Sequence, residues 1–583
     1  MLVNSTKYAE MLAFNRSWKL PAGVEPYTVG ILSNIVIYQL KDVLEYALRT
    51  AGIPASVQVG EYDNVVQDSL RFRDKRLVVV FWEAFNFSDQ LRSKGQYLAE
   101  AELADLLLHW KRQIDSVLEA LSPVPLVLFN RFSPWAAGAL VVEDGAWGRI
   151  CRELNQHIEQ SKPANVILVD VAAVAAQVSI RETFDWRNFY ESRVLYSLNF
   201  LRQYVQGVFP AVAAAAGRAK KVLVLDCDDT LWGGIVGEDG VPALAMTPDT
   251  FKGMIFHEAQ SLYAALRERG VLLALCSKNN PEDVDAVFAG RTDMVLKSSD
   301  LVCKKVGWGN KAEAIEAIAR ELNLGLDAVV FVDDSEFEVR SVKDMLPQVT
   351  TFCVPQAIQD YPGMIRSLAG LFFNPFATKE DRQKTEMYAQ EARRELVRAK
   401  FGNMEDYLRS LKLQLRVMIS DPALVGRMAQ LSQKTNQFNL TTRRYTESQI
   451  AAFCDDGNCA LFAVNVADAF GDYGVTGLAV VTLDRHKLEA DVDTFLLSCR
   501  VLGRNIELVF FEAVVGWLKS QGIKRITAHY RATPKNAQVA DFWDRLALSR
   551  SADGGSGRDY VLSLDSYNKQ PIDYIGVEYG KQD

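Results

Sequence analysis

A short apolar strand that runs directly into acidic residues constrains the fold of this chain more than any other stretch. Val222–Leu225 is apolar throughout and is predicted to be a buried strand of a parallel sheet. Asp226, Asp228 and Asp229 follow it, and open α/β sheets bind their ligands at such carboxyl ends. Asp226 could attack phosphorus as a nucleophile, and Asp228 could protonate the leaving oxygen and later activate water. A solvated acidic turn is the alternative, because a D-x-D pattern alone is a short motif.

A second acidic strand end lies further along the chain. The predicted strand 328–332 ends in Asp333 and Asp334. Mg²⁺ prefers oxygen ligands and takes one or two carboxylates together with substrate phosphate. Asp226 from the first strand and Asp333 or Asp334 from the second would supply these carboxylates. The backbone carbonyl of Asp228 could supply a third oxygen, so the sequence predicts a magnesium site between two strand ends.

Two residues between these strands suit a phosphate group. Ser277 follows the predicted strand 271–276, where its hydroxyl could hydrogen-bond a phosphoryl oxygen. A helix cap is the alternative interpretation of this serine. Lys311 opens a predicted helix that ends at residue 322, and a cation at a helix N-terminus favours phosphate. Lys311 could instead be a surface lysine, and Lys304 and Lys305 compete for the phosphate-binding role.

Taken in order, D-x-D-x-T, serine, lysine and D-D resemble the motifs of the haloacid-dehalogenase (HAD) superfamily of phosphotransferases. The resemblance implies that Asp226 is the nucleophile and Asp228 the general acid and base. It also implies phosphate-binding residues, Thr230, Ser277 and Lys311, and magnesium ligands, Asp226, Asp228, Asp333 and Asp334. Little sequence separates the first motif from the serine, so we expect no large cap domain over the site.

The preceding residues, 1–215, are predicted to form an α/β domain with a parallel sheet. Candidate strands alternate with helical patterns: strands at Tyr27–Leu32, Leu77–Trp82, Pro125–Phe129 and Val166–Val169, and helices at Ile35–Thr50 and Gln96–Leu121. Ser33 and Asn34 follow the first strand, where a nucleophilic serine is conceivable, but no D-x-x-H string lies near the end of the domain to activate it. The layout resembles an SGNH-hydrolase-like domain, which we interpret as a degenerate, non-catalytic scaffold.

The rest of the chain is predicted to add three segments: a HAD-like domain at 216–372, a charged helical linker at 373–410 and a third domain at 411–583. The third domain is predicted to contain strands at 411–417, Ala460–Val466, Gly474–Leu483, Lys487–Leu497 and Arg525–Tyr530. Its predicted helices lie at 421–434, after residue 505 and from Lys535. Its turn with Arg500, Gly503 and Arg504 resembles the acyl-CoA pyrophosphate loop of GNAT acetyltransferases. That loop usually ends in Gly or Ala, where this chain has Asn505. A phosphopantetheine arm, or no ligand at all, is therefore the alternative to CoA.

Six strings in the second and third predicted domains together resemble the FkbH-like family, whose three-domain layout the chain also matches: KVLVLDCDDTLWGG, VGWGNKAEAI, FVDDSEFE, TNQFNLTTRRY, FGDYG and SCRVLGRNIE. The resemblance implies a HAD-type phosphatase and glyceryl transferase. Such an enzyme would remove phosphate from 1,3-bisphosphoglycerate and load a glyceryl group onto the phosphopantetheine thiol of an acyl carrier protein, which supplies a polyketide extender unit. The alternatives are a simple Mg²⁺-dependent phosphatase acting on another small phosphate ester, and a non-catalytic platform for docking the carrier.

Cys227 lies between two acids of the first motif and is a candidate for an acyl thioester. Two arguments oppose this role. Successive side chains of a strand point to opposite faces, so Cys227 should face away from Asp226 and Asp228. The neighbouring carboxylates would also raise the pKa of the thiol and suppress the thiolate. A buried core cysteine is the favoured interpretation, and the thioester role stays open.

Charge and hydropathy exclude two classes of partner. The formal net charge of −8 argues against a nucleic-acid-binding protein. No apolar run approaches the roughly 18 residues of a membrane helix, and the first residues lack the basic and apolar regions of a signal peptide. The eight cysteines form no C-x-x-C pair, so structural zinc is not expected. We expect a cytoplasmic protein with reduced thiols.

Overall fold

The computed structural model describes residues 6–138, 146–373, 401–533, 535–554, 557–568 and 571–580. The chain divides into two compact units: residues 1–216, 443–456 and 553–558 form one, and residues 217–442, 457–552 and 559–583 form the other. The three-domain division expected from the sequence is finer than this and stays a prediction. Most of the linker expected at 373–410 lies outside the described residues.

The first unit is built on a five-stranded parallel sheet in the order β2-β1-β3-β4-β5. Its strands are β1 (Tyr27–Ser33), β2 (Ala55–Val59), β3 (Leu77–Phe81), β4 (Leu126–Asn130) and β5 (Val166–Val169). The helices are α1 (Tyr8–Ser17), α2 (Tyr38–Thr50), α3 (Val65–Arg71), α4 (Asp89–Lys94), α5 (Glu100–Ala120), α6 (Ala146–Ser161), α7 (Val171–Val178), α8 (Ile180–Thr183), α9 (Trp186–Ser192) and α10 (Leu198–Ala215). Strand β2 was not predicted, because it lies at the sheet edge and alternates buried and exposed residues over only five positions.

The second sheet carries the acidic strand ends. It has five parallel strands in the order β10-β9-β6-β7-β8, with β6 at its centre. The strands are β6 (Val222–Leu225), β7 (Leu272–Ser277), β8 (Leu301–Val306), β9 (Val329–Asp333) and β10 (Thr350–Cys353). The helices are α11 (Val236–Asp239), α12 (Phe251–Glu268), α13 (Pro281–Gly290), α14 (Lys311–Glu321), α15 (Glu336–Met345) and α16 (Tyr361–Ala369).

Both faces of this sheet are covered, as the continuous apolar pattern of β6 predicts. Leu223 and Leu225 pack on one face with α12 and α16. Val222 and Val224 pack on the opposite face with α14 and α15. The strand is therefore fixed from both sides, and its carboxyl end holds the residues that follow it in a defined position.

The third sheet belongs largely to the second unit and has nine strands, in the order β17-β18-β16-β15-β14-β13-β11-β19, with β12 paired to β15 off this path. The strands are β11 (Gln414–Ile419), β12 (Phe438–Asn439), β13 (Cys459–Asp468), β14 (Gly471–Asp484), β15 (Glu489–Leu497), β16 (Arg525–Arg531), β17 (Ser549–Gly554), β18 (Gly557–Ser563) and β19 (Gly576–Tyr579). The helices in this part of the chain are α17 (Met404–Ser410), α18 (Val425–Lys434), α19 (Glu447–Asp455), α20 (Ile506–Ser520) and α21 (Phe542–Arg545). None of the described helices is long and apolar enough to cross a membrane.

The prediction of a helix that begins at Lys535 is wrong. A single 3₁₀ turn at Ala537–Val539 and the four-residue α21 stand in its place. The buried side chain of Asn536 donates to the carbonyls of Asn439 and Arg531 and accepts from the amide of Thr533. These hydrogen bonds compete with those of a helix and hold the chain in a turn.

Candidate active site

The two acidic strand ends lie side by side. Leu225 of β6 is in register with Val332 of β9, and the amide of Asp226 donates to the carbonyl of Val332. Asp226, Asp333 and Asp334 each offer an oxygen, and these three oxygens lie within 4.8 Å of one another. Asp226 and Asp333 are buried, whereas Asp334 is exposed. Parallel pairing of β6 and β9 thus brings together three of the predicted magnesium ligands.

Lys311 lies against the two buried carboxylates. Its Nζ is 2.8 Å from Oδ1 of Asp226 and 2.5 Å from Oδ2 of Asp333. The N-cap residue Asn310, whose side chain accepts from the amide of Ala312, fixes the start of α14 and so the place of this lysine. Burial lowers the pKa of Lys311, but the two carboxylates outweigh burial, so its pKa lies above the ordinary value and the ammonium stays charged.

The competing lysines point elsewhere. Lys304 pairs with Asp285 at 3.0 Å and Lys305 pairs with Glu321 at 2.7 Å. Of the three lysines considered from the sequence, Lys311 is therefore the one that the structure places in the acidic cluster.

The acidic cluster carries more negative charge than Lys311 neutralises. Burial raises the pKa of Asp226 to about 7, against the attraction of Lys311 and with the help of Asp333. Burial also raises the pKa of Asp334 to about 6, and the charges of Asp333 and Asp229 add to this. A cation bound between the carboxylates would favour their ionised forms and reverse both shifts.

The acidic cluster fits a magnesium ion. Magnesium–oxygen distances are about 2.0–2.1 Å, so two ligands on opposite sides of one ion are about 4.2 Å apart. The observed span of at most 4.8 Å closes to this value with a small movement of the carboxylates. The exposed Asp334 leaves one side of the cluster open to water and substrate oxygens, which Mg²⁺ keeps among its ligands. All three ligands in the cluster are carboxylate oxygens, which Mg²⁺ prefers. The carboxylate of Asp228 is not part of the cluster, and the contribution predicted for this residue was from its backbone carbonyl.

The carboxylate of Asp228 is held by three donors. Trp232 Nε1 and the amide of Val236 donate to Oδ1 at 2.8 and 3.1 Å, and Asn279 Nδ2 donates to Oδ2 at 2.9 Å. Sequence analysis did not assign a role to Trp232 or to Asn279. Asn279 could have been found from its position two residues after the end of β7. No pattern in the sequence indicated that the indole of Trp232 contacts Asp228.

Ser277 lies beside the acidic cluster. Ser277 is buried at the end of β7, and its hydroxyl accepts from Asn279 Nδ2 at 3.2 Å. The same hydroxyl lowers the pKa of Asp226, against the larger effect of burial. The N-cap of α13 is Asn280, so the structure does not support the helix-cap interpretation of Ser277. Thr230 is fully buried, its hydroxyl has no hydrogen-bond partner among the described residues, and the phosphate contact expected of it stays a prediction.

Cys227 packs in the core. Its side chain is 0% exposed and lies in the same apolar cluster as Leu223 and Leu225. Burial, together with the charge of Asp226, holds the pKa of the Cys227 thiol well above its usual range. A thiol that is both inaccessible and protonated is a poor nucleophile. The geometry favours the core interpretation over the thioester role.

We expect Cys227→Ala to keep most of the phosphate-releasing activity and to lower stability by about 1–2 kcal/mol through lost packing. Any covalent glyceryl adduct seen by intact-protein mass spectrometry should persist in this variant. Cys276→Ala is the matched control, because Cys276 is equally buried on the neighbouring strand β7. Loss of the adduct in Cys227→Ala, but not in the control, would establish the thioester role instead.

The loop before α20 has the backbone conformation of a tight turn. Gly503 and Asn505 both have positive φ angles, 76° and 62°, and Asn tolerates this conformation better than most residues. The departure at Asn505 is therefore compatible with the turn. However, both arginine side chains contact protein groups: Arg504 is buried and donates to the hydroxyl of Tyr473, and Arg500 donates to Ser498.

A segment of the chain itself fills the gap beside this loop. Strands β15 and β16 pair in parallel only over Glu489–Val492 and then separate. Strand β12 pairs with Leu496–Leu497, while Leu440 donates to the carbonyl of Phe495 and accepts from the amide of Arg531. Residues 438–440 thus lie between β15 and β16. These residues pair with the end of β15, the strand that leads into the Gly503 loop.

We therefore expect no measurable CoA binding by isothermal titration calorimetry at micromolar protein. Arg504→Ala should leave this result unchanged. A saturable heat of binding that disappears in Arg504→Ala would show instead that the segment 438–440 is displaced and that the predicted pantetheine contacts exist.

The candidate nucleophile of the first unit, Ser33, has no activating partner among the residues that the structure describes. Ser33 is buried at the end of β1, and its hydroxyl accepts from the amide of Ile35 at 3.2 Å. Among the described residues, no histidine contacts it. This geometry favours the non-catalytic interpretation, and the likeness to SGNH hydrolases stays a prediction.

Comparison with known proteins supports the fold of the acid-bearing part. No family model matches the chain, and no curated protein matches it. The N-terminal part of the protein BF1531 from Bacteroides fragilis, which contains a phosphatase domain and was crystallised with Mg, is similar to 64% of this chain over 99% of its own length, with 24% identity and a TM-score of 0.54. This likeness shows that the two chains share a fold.

Two acetyltransferases match a smaller part of the chain. A putative acetyltransferase of the GNAT family from Desulfovibrio desulfuricans is 13% identical over 26% of this chain and 99% of its own, with a TM-score of 0.22. The ribosomal-protein-S18-alanine N-acetyltransferase of Escherichia coli is 13% identical over 27% of this chain and 98% of its own, with a TM-score of 0.21. TM-scores this low do not show a shared fold, so the GNAT-like interpretation of the third domain stays a prediction.

Proposed function

We propose that this protein is a Mg²⁺-dependent phosphatase of the HAD type. The observation that carries the proposal is the arrangement of three carboxylate oxygens within 4.8 Å of one another at two neighbouring strand ends, with Lys311 against the two buried ones. Two carboxylates and an ammonium in one buried cluster, next to an exposed third carboxylate, form a site for a divalent cation and a phosphate. The magnesium in the phosphatase-domain neighbour is consistent with the same cofactor here.

The residues fit attack on phosphorus by an aspartate. An oxygen of Asp226 would form a bond to phosphorus, and the bond to the ester oxygen would break. Asp228, held in place by its three donors, would give a proton to that leaving oxygen and later take one from water. Lys311 and Ser277 would orient the phosphoryl group. Mg²⁺, when bound, would neutralise charge on the phosphoryl oxygens.

We further propose that the phosphatase reaction is part of glyceryl transfer, with 1,3-bisphosphoglycerate as donor and an acyl carrier protein as acceptor. The support is the set of sequence strings from Lys221 onward that resemble the FkbH-like family. The chemistry is coherent, because the acyl phosphate of this donor is already activated toward a thiol. The other phosphate is an ester and requires attack on phosphorus, which the acidic cluster can supply.

A simple phosphatase acting on another phosphate ester is the second candidate. It is favoured by the burial of Cys227, which leaves the site without an accessible thiol among the described residues that contact Asp226 or Asp228. A non-catalytic docking platform is disfavoured, because such a role needs no buried, charge-rich acidic cluster.

Incubation with Mg²⁺, 1,3-bisphosphoglycerate and a phosphopantetheinylated carrier protein separates the candidates. Transferase activity should add one glyceryl mass to the carrier, seen by mass spectrometry, and release phosphate. Phosphate release without a mass gain would favour the simple phosphatase. Asp226→Asn is the matched control for enzymatic release, because the acyl phosphate also hydrolyses spontaneously. Absence of both signals would overturn this donor, and absence of phosphate release from other small phosphate esters as well would overturn the phosphatase proposal.

A further inference from the structure

The two oxygens of Asp228 are in unequal surroundings. Oδ1 accepts two hydrogen bonds, from Trp232 Nε1 at 2.8 Å and from the amide of Val236 at 3.1 Å. Oδ2 accepts one, from Asn279 Nδ2 at 2.9 Å. A carboxylate has about four lone-pair sites over its two oxygens. Among the described residues, donors therefore occupy both sites of Oδ1 and leave one site of Oδ2 free.

We propose that Trp232 and Asn279 are positioning residues that dedicate Oδ2 of Asp228 to proton transfer with the leaving group. This inference rests on the proposed phosphatase function. With Oδ1 saturated by donors, a proton on Asp228 can reside only on Oδ2 without breaking a hydrogen bond. The same contacts fix the rotation of the carboxylate, so the free site of Oδ2 keeps one direction.

The two positioning side chains are themselves rigidly held. Trp232 is fully buried and packs edge-on against Phe288, with ring centroids 6.4 Å apart. The backbone next to it is tied down on both sides: the carbonyl of Leu231 accepts from Gln260, and Gly233 pairs with Ala245. Packing therefore holds the Trp232 side chain in one rotamer, with its indole N–H directed at Asp228.

Asn279 is held through a second contact. It is buried, and its Nδ2 donates to the hydroxyl of Ser277 at 3.2 Å as well as to Asp228. One amide group therefore links the proton-transfer residue to a predicted phosphate-binding residue. This link sets the position of Oδ2 relative to the phosphoryl group.

The proton and electron pairs balance in the proposed step. An electron pair of Asp226 forms the bond to phosphorus, the pair of the breaking bond leaves with the ester oxygen, and that oxygen takes the proton from Oδ2 of Asp228. In the second half, Oδ2 takes a proton from water, whose oxygen bonds to phosphorus. The bond between phosphorus and Asp226 then breaks, which releases phosphate and restores both residues.

The leaving group provides the test, because a good leaving group needs no proton. We compare kcat/KM of the full chain with Mg²⁺ for glycerol 3-phosphate, a poor leaving group, and p-nitrophenyl phosphate, a good one. Trp232→Phe should lose about 10- to 100-fold on glycerol 3-phosphate and less than about threefold on p-nitrophenyl phosphate. Trp308→Phe is the matched control, since that indole is 71% exposed and donates to Asn280 instead. Equal losses on the two substrates would overturn the inference.

Asn279→Ala provides a second variant in case Trp232→Phe is destabilised. It should show the same preferential loss on the poor leaving group. Both substitutions should add little to the loss caused by Asp228→Asn, because residues that act through one another are not additive. Additive losses would show independent structural roles and overturn the inference while leaving the phosphatase function intact. A wild-type protein inactive on both substrates would refute the function and the inference together.

Discussion

Asp226→Asn is expected to reduce phosphate release by about 10³-fold or more, because an amide cannot replace the attacking carboxylate. The substitution keeps the shape of the side chain, and it removes one of the two buried negative charges that Lys311 contacts. Stability without metal should therefore not fall. Steady-state phosphate release with saturating Mg²⁺, together with a melting curve in EDTA, measures both effects.

Asp229→Asn is the control for this substitution. Asp229 lies three residues further on, and its carboxylate pairs with Lys252 at 2.8 Å instead of with Lys311. We expect this variant to keep activity within a few-fold of the wild type. Undiminished activity in Asp226→Asn would show that the carboxylate at the end of β6 is not the nucleophile, and the proposed chemistry would have to be abandoned.

Lys311→Met is expected to destabilise the protein strongly in the absence of metal. Lys311 is 4% exposed and supplies the positive charge that contacts both Asp226 and Asp333. Removal of one partner from a buried ion pair typically costs about 3–5 kcal/mol, because the remaining charge is left uncompensated. The melting temperature in EDTA should fall accordingly.

Magnesium should restore part of this loss, since a cation between the carboxylates replaces the missing charge and binding to the folded state stabilises it. The rise in melting temperature on adding Mg²⁺ should thus be larger for Lys311→Met than for the wild type. Lys304→Met is the matched control, because Lys304 forms a surface pair with Asp285, and such pairs contribute at most about 1 kcal/mol. An equal response to Mg²⁺ in the variant and the wild type would mean that the ion does not bind at this cluster.

The parts of the fold that the sequence predicts well are the buried parallel strands. The strand predicted at 222–225 is found there, and the one predicted at 328–332 is displaced by a single residue, because each is a continuous apolar run bounded by polar residues. The start of α14 at Lys311 was also predicted. The edge strands β2, β8 and β10 were missed, and β2 is a short alternating pattern of only five residues. The irregular stretch after Lys535 was missed because a side chain there competes for backbone hydrogen bonds and leaves no periodic signal.

Sequence alone predicted which acids lie together, since acids placed directly after buried strands must gather at one edge of a parallel sheet. Only the tertiary structure decided which side chains meet: that Lys311, and not Lys304 or Lys305, lies between the carboxylates, and that Trp232 and Asn279 hold Asp228. Only it showed that residues 438–440 fill the gap beside β15. The physical reason is that period and composition specify each element by itself, whereas contacts between distant segments depend on register and packing, which no local pattern encodes.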